Sequence, residues 1–165
     1  MNTSILLGAY TLFHVAISLV GIMAGFVAVF AMLGSKLEKG WTNVFIWTTL
    51  ATSVTGFFFP FKGFTPAIGT GIVALLVMAP TLFALYTMKL AGFWRPIYVI
   101  GAVISLYLNF FVLIVQSFLK IPALNVLAPT QKEPPFAIAQ GLALLFFVAL
   151  GIGATLKFRP VPAQA

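Results

Sequence analysis

No cysteine and no aspartate occur in this chain, and it has one histidine and two glutamates. Each shortage removes a class of chemistry. Without cysteine there is no disulfide, no thiol redox couple and no cysteine metal site. Glu38 and Glu133 fall on opposite faces of a membrane in the topology derived below, so they cannot form a general acid–base pair. One histidine cannot give bis-histidine haem ligation, and a metal site would lack ligands. A Ser/His/Asp triad cannot be assembled. Gly69-Thr70-Gly71 lies inside an apolar run with no lysine beside it, so it is not a phosphate-binding loop. Neither an enzymatic activity nor a metal or cofactor is expected. A proton-coupled transporter usually carries an acidic group within the membrane; none is present, and a small transporter ranks third among the functions considered.

Charge is scarce as well. Only 7% of the 165 residues are charged and 62% are hydrophobic, with mean hydropathy +1.14, whereas soluble domains are about 25% charged. Five runs contain no Lys, Arg, Asp or Glu: Ser4–Leu33, Trp41–Phe59, Ala67–Met88, Pro96–Leu119 and Phe136–Leu156. A helix needs about 20 apolar residues to cross a hydrocarbon layer of ~30 Å, so each run is long enough. The runs do not alternate in the way barrel strands do. The expected fold is all-α: one polytopic transmembrane bundle of five spans over residues 1–158, followed by a short disordered tail, 159–165. The start, Met-Asn-Thr-Ser, lacks the basic segment of a signal peptide, so the first run is read as the first span.

The net charge of +7 is spread over the connections, where lipid headgroups account for it; no nucleic-acid partner is expected. Five spans put the termini on opposite sides. One side receives Lys36, Lys39, Lys89, Arg95, Lys157 and Arg159; the other receives Lys62, Lys120 and Lys132. The positive-inside rule assigns the richer side to the cytoplasm, with the N-terminus outside and the C-terminus inside. Trp41 and Trp94 then sit at cytoplasmic helix ends, as interfacial anchors.

Local signals set the boundaries. Gly34-Ser35 and Lys39-Gly40 break the first connection, and Pro60, Gly63 and Pro66 tighten the second. Gly92 and Pro96 bracket the third, Pro96 suiting a first helical turn. The longest connection, Lys120–Pro135, holds four prolines, and Ala123–Leu127 within it is expected to form a short turn. Pro80 cannot donate a helix hydrogen bond, which predicts a kink near Leu76–Pro80.

Polar groups within the spans are few, and each needs a partner. His14, Ser18, Gly21 and Gly25 recur at spacings of four, three and four, so they share one helix face. Gly21 and Gly25 form a small-xxx-small pair that permits close helix approach. His14 reads either as a packing residue bonded to a neighbouring helix or as a ligand or proton group. Thr48, Thr49, Thr52, Ser53 and Thr55, followed by Gly56, supply hydroxyls that can bond back to the preceding turn; Thr52 and Gly56 are assigned to packing with Ser18, Gly21 and Gly25. Ser105, Asn109, Gln116 and Lys120 line one face of the fourth span, and Gln140 lies one turn into the fifth. Amides bring donors and acceptors that must be satisfied. This inventory gathers in the outer leaflet beneath Lys120, Lys132 and Glu133, where Glu133 is expected to pair with one of the two lysines.

Three stretches carry a family resemblance. Thr52-Ser53-Val54-Thr55-Gly56-Phe57-Phe58-Phe59-Pro60 is one. Ala91-Gly92-Phe93-Trp94-Arg95-Pro96-Ile97-Tyr98-Val99, running on to Leu106-Tyr107-Leu108-Asn109, is the second. Gln116-Ser117-Phe118-Leu119-Lys120-Ile121-Pro122-Ala123-Leu124, with Ala128-Pro129-Thr130-Gln131 and Glu133-Pro134-Pro135-Phe136, is the third. Together they resemble small, uncharacterised bacterial integral-membrane proteins, from Trp41 onward. The resemblance implies a bacterial inner membrane and no activity.

Two functions remain. The first is binding of a lipid-like or quinone-like ligand in an outer-leaflet pocket, with His14, Asn109, Gln116, Lys120 and Gln140 at its head. A few placed polar groups in an apolar lining suit such a site. The second is a structural or accessory subunit that packs against other membrane subunits or a second copy of itself.

Overall fold

The computed structural model describes residues 3–60, 63 and 66–160. Among these the chain is helical, with no strand: α1 (Thr3–Leu33), α2 (Lys39–Gly56), α3 (Pro66–Leu82) with a π-helical extension (Phe83–Thr87), α4 (Trp94–Lys120), α5 (Pro122–Asn125) and α6 (Pro134–Lys157). Four segments are long and apolar enough to cross a membrane: Ser4–Leu33, Ile68–Thr87, Trp94–Lys120 and Pro134–Lys157. The expected second span is represented by α2, which has 18 residues and includes five threonines, an asparagine and a lysine. It is the least apolar of the long helices and is not one of the four.

α4 is the hub. It packs on α1, α3 and α6, while α2 packs between α1 and α3. Large side chains fill the centre, with Tyr98, Phe45, Met32, Ile46, Met78 and Leu106 fully buried. An aromatic knot joins three helices: Phe26 of α1 meets Phe110 at 5.9 Å and Phe147 at 5.8 Å, and Phe147 of α6 meets Tyr107 of α4 at 5.7 Å. The outer faces of α1 and α6 remain apolar, with Leu12, Met23, Leu145 and Leu156 exposed. Apolar surface on this scale marks a contact face, and a bilayer satisfies it along both helices.

Glycines set the closest approaches. A Cβ on Gly21 would lie 2.9 Å from Thr48 Oγ1, and one on Gly25 would lie 2.6 Å from Leu106 Cδ1 and 2.8 Å from Phe45 Cδ2. α1 therefore rests on α2 and α4 through this pair. A Cβ on Gly101 would collide with Thr81 Oγ1, so α3 and α4 touch there. At Gly56 the fit is looser: a Cβ there would lie 3.8 Å from His14 Cε1.

The ends of the helices differ in detail from the sequence reading. α1 closes with Lys36 N–H donating to Ala31 C=O at 3.0 Å, a six-to-one bond of the Schellman type. Its left-handed residue is Ser35, φ +58°, and not Gly34. α3 runs through Pro80 in α-helical form, and the departure from α geometry comes later, at Phe83–Thr87. There Met88 N–H donates to Phe83 C=O at 3.0 Å, a five-residue spacing that widens the helix. The following turn uses left-handed backbone at Lys89, Leu90 and Gly92. The turn expected at Ala123–Leu127 is α5, which starts one residue earlier and ends two residues earlier. Of the expected disordered tail, 161–165 lie outside the described residues. Arg159 is tied down, its N–H donating to Ser35 Oγ at 2.8 Å, and Phe158 before it is buried.

Candidate functional site

The polar face of α1 meets the last turns of α2. His14 Nδ1 lies 2.9 Å from Thr55 Oγ1. Thr55 Oγ1 donates to Ala51 C=O at 2.7 Å, and Tyr10 OH donates to Thr55 C=O at 2.6 Å. Ser18 Oγ donates to His14 C=O at 2.7 Å and stands 3.5 Å from Thr52 Oγ1. Phe59 meets the His14 ring edge-on at 5.1 Å. Back-bonding fills most of the hydroxyl valences here, as the threonine run suggests.

The residues expected to share a ligand are separately engaged. Asn109 Nδ2 donates to Thr49 Oγ1 of α2 at 3.0 Å, and Thr49 is fully buried. Gln140 Nε2 donates to Phe111 C=O of α4 at 3.3 Å, while its Oε1 is buried without a protein partner among the described residues. Ser105 Oγ is buried in the same state. Gln116 is half-buried on α4, and Lys120 at the end of that helix is exposed. His14 answers to Thr55, Asn109 to Thr49 and Gln140 to Phe111, three separate partners.

Glu133 is also engaged differently from the expected lysine pairing. Its Oε1 accepts from Thr130 Oγ1 at 2.8 Å and from Thr130 N–H at 3.3 Å, and its Oε2 accepts from Lys132 N–H at 3.0 Å. The carboxylate thus caps its own loop through the main chain. Partial desolvation works to raise its pKa, but these hydrogen bonds outweigh it and hold the carboxyl below the usual glutamate value. Gln131, at φ +59°, braces the same loop by donating from Nε2 to Val115 C=O at 2.8 Å.

Open space lies elsewhere, along α4. One cavity of about 430 Å³ runs between α4 and α6, lined by Ile100, Val103, Ile104, Tyr107, Phe147 and Gly151 among others. A second, of about 310 Å³, lies between α3 and α4, against Gly69, Val73, Tyr107, Leu108 and Phe111. Tyr107 borders both, so the α4 face it occupies is flanked by α3 on one side and α6 on the other. Ile100 and Ile104 on that face are 48% and 37% exposed. The lining is mainly apolar, with Thr70 in the smaller cavity, Thr155 in the larger and Tyr107 in both as its hydroxyl residues, and His14, Asn109, Gln116, Lys120 and Gln140 line neither. The larger cavity lies toward the N-terminal half of α4, away from the Asn109–Lys120 stripe.

Tyr107 and Tyr10 are the residues the sequence reading passed over. Tyr10 precedes His14 by four positions, and helical spacing could have placed it on the same face. For Tyr107 the available signal was depth: transmembrane tyrosines favour the interfaces, and this one sits at the middle of α4. No protein-family model, no curated protein and no solved structure matches this chain.

Proposed function

We propose that the chain is a five-span protein of a bacterial inner membrane, N-terminus outside and C-terminus in the cytoplasm, that holds a long-chain amphiphile in the cleft along α4. The observation that carries this reading is the pair of open, mainly apolar cavities that share Tyr107 in their linings. Together the two cavities border α4 from Ile100 to Phe111, about 16 Å of helix, comparable to the ~15 Å depth of one hydrocarbon leaflet. Such a lining suits an alkyl or isoprenoid chain, since ligand sites of this kind are mostly apolar.

For five spans, α2 must also sit in the membrane. Its 18 residues give about 27 Å, close to the hydrocarbon thickness. Thr48 and Thr55 donate to Val44 and Ala51 carbonyls, so those hydroxyls are satisfied within the helix. The six-to-three division of basic residues supports the orientation; Lys62, one of the three, lies outside the described residues.

Native mass spectrometry of the full chain from mild detergent tests the cleft. The wild type is expected to carry a lipid-like mass, and Ile104→Trp, which fills the cleft at a partly exposed position, is expected to lose it without a lower unfolding temperature. Equal retention by both would overturn the reading. A reporter fused after Ala165 should be active only in its cytoplasmic form.

A second reading, an accessory subunit, is favoured by the start of α1. Residues 4–9 are exposed throughout, and nothing stands within 4 Å of a Cβ on Gly8. A co-purifying larger assembly in the same spectra would support it.

A further inference from the structure

His14 is the chain's single histidine, and its hydrogen bonding determines which ring nitrogen carries the proton. Thr55 Oγ1 has one hydrogen. That hydrogen goes to Ala51 C=O at 2.7 Å, with Thr52 C=O at 3.3 Å on the same side. With its hydrogen on that shorter bond, the hydroxyl accepts toward His14, and Nδ1 at 2.9 Å is the donor. In a neutral imidazole the other nitrogen, Nε2, is then an acceptor.

Nε2 has no hydrogen-bond partner among the described residues. It is also accessible. The buried side-chain atoms lacking a partner there are Thr42 Oγ1, Tyr98 OH, Ser105 Oγ and Gln140 Oε1, and His14 Nε2 is not one of them. The ring is held from several sides: Thr55 on Nδ1, Phe59 edge-on at 5.1 Å, and Tyr10 against Phe59 at 4.9 Å. Gly56 places no side chain beside Cε1. The sequence neighbours Phe13 and Phe58 are 58% and 73% exposed. Among the described residues an oriented acceptor is therefore left open where α1 meets the end of α2, beside the Phe59 ring. In hydrocarbon an acceptor without a partner is costly, and its complement is a donor that arrives through the lipid.

We propose that His14 Nε2 accepts a hydrogen bond from the hydroxyl of a membrane-soluble amphiphile, at a site separate from the α4 cleft. The shared chemistry is a hydroxyl on an apolar body. A quinol and a diacylglycerol both supply it, and a ligand offering only ether or carbonyl oxygens does not.

The single histidine makes the test clean. The full chain, labelled with 15N only at histidine, is placed in phosphatidylcholine nanodiscs and titrated with a decyl-chain benzoquinol, its dimethyl ether and 1,2-dioctanoylglycerol. Before addition the spectrum should show a protonated Nδ1 and a bare Nε2. The benzoquinol, the diacylglycerol or both should move the Nε2 resonance, and whichever does so identifies the source; the ether should not. A protonated Nε2 in the neutral ring would overturn the proposal. So would no shift with either hydroxyl compound, which leaves Nε2 to water, or the same shift with the ether. Two variants give an independent reading by calorimetric titration of the responding probe. His14→Asn keeps a donor near Thr55 and lacks the distal acceptor, and should bind about tenfold more weakly. His14→Gln carries an amide oxygen near the Nε2 position and should retain most of the affinity. Ile104→Trp should leave the His14 titration unchanged, so failure of the cleft reading and failure of this site are distinguishable.

Discussion

Asn109 Nδ2 donates to Thr49 Oγ1 across 3.0 Å, joining the middle of α4 to the middle of α2. Thr49 is fully buried, so the amide meets its partner away from lipid. Interhelical hydrogen bonds within membranes contribute about 0.6 kcal/mol on average and at most about 1.7. A double-mutant cycle of Asn109→Leu and Thr49→Val, followed by thermal unfolding in detergent, should give a coupling in that range. Bound amphiphile should be unchanged, because Asn109 does not line the cleft. A coupling near zero would mean that the bond does not hold α2 to α4.

Glycine positions on one helix should separate cleanly. Gly25→Ala places a methyl 2.6 Å from Leu106 Cδ1 and 2.8 Å from the buried Phe45 ring. Overpacking of this kind costs about 1–3 kcal/mol, and Gly25→Leu or Gly21→Leu should cost more. Gly8→Ala meets open space and should be neutral or stabilise by up to about 1 kcal/mol through helix propensity. Unfolding temperatures of the two alanine variants moving together would contradict the packing of α1 on α2 and α4.

Two tyrosine hydroxyls predict opposite signs. Tyr10 OH donates to Thr55 C=O at 2.6 Å, and Tyr10→Phe should destabilise by about 0.5–1.5 kcal/mol. Tyr98 OH is buried beside Thr42 Oγ1, and neither hydroxyl completes a hydrogen bond of good geometry among the described residues. Removing an unsatisfied buried hydroxyl at constant shape is nearly neutral or stabilising, so Tyr98→Phe should not lower the unfolding temperature. A marked loss at Tyr98 would show that its hydroxyl is satisfied in the folded protein.

The loop before α6 should respond to acid. Glu133 is held below the usual glutamate pKa by Thr130 and the Lys132 main chain. A lowered folded-state pKa means that the carboxylate's contribution is present above the unfolded value and is lost as pH falls through the folded one. Hydrogen exchange at the Thr130 and Lys132 amides should follow only the ordinary pH dependence of exchange down through the normal glutamate range, with extra opening below it. Glu133→Gln should show weakened protection of both amides at neutral pH and no such acid step.

Several features were legible in the residues themselves because they depend on local composition. An uncharged run of about 20 apolar residues has few destinations other than hydrocarbon, and helices appear along all five such runs. Gly21 and Gly25 announced a close contact through spacing alone, and both lie where α1 meets its neighbours. The proline-rich stretch from Lys120 announced an irregular connection, which α5 interrupts for one turn.

Which polar groups would meet was not legible, because that depends on how helices rotate about one another. Asn109, Gln116 and Lys120 share a stripe by periodicity, yet Asn109 reaches Thr49 and Lys120 is exposed. Glu133 had two lysines within its loop region, but nearby main-chain donors satisfy it without ordering a long cationic side chain. Pro80 marked α3 as irregular, while the place where the helix widens, Phe83–Thr87, depends on how the whole segment seats against α4. The cleft has no motif at all. Apolar side chains that line a cavity are the same as those that fill a core, and only the placement of α3 and α6 on either side of Tyr107 separates the two. Composition determined the class of environment, because transfer into hydrocarbon is a property of each residue. Tertiary packing decided the sites, because a cavity or a hydrogen bond between helices is a property of pairs.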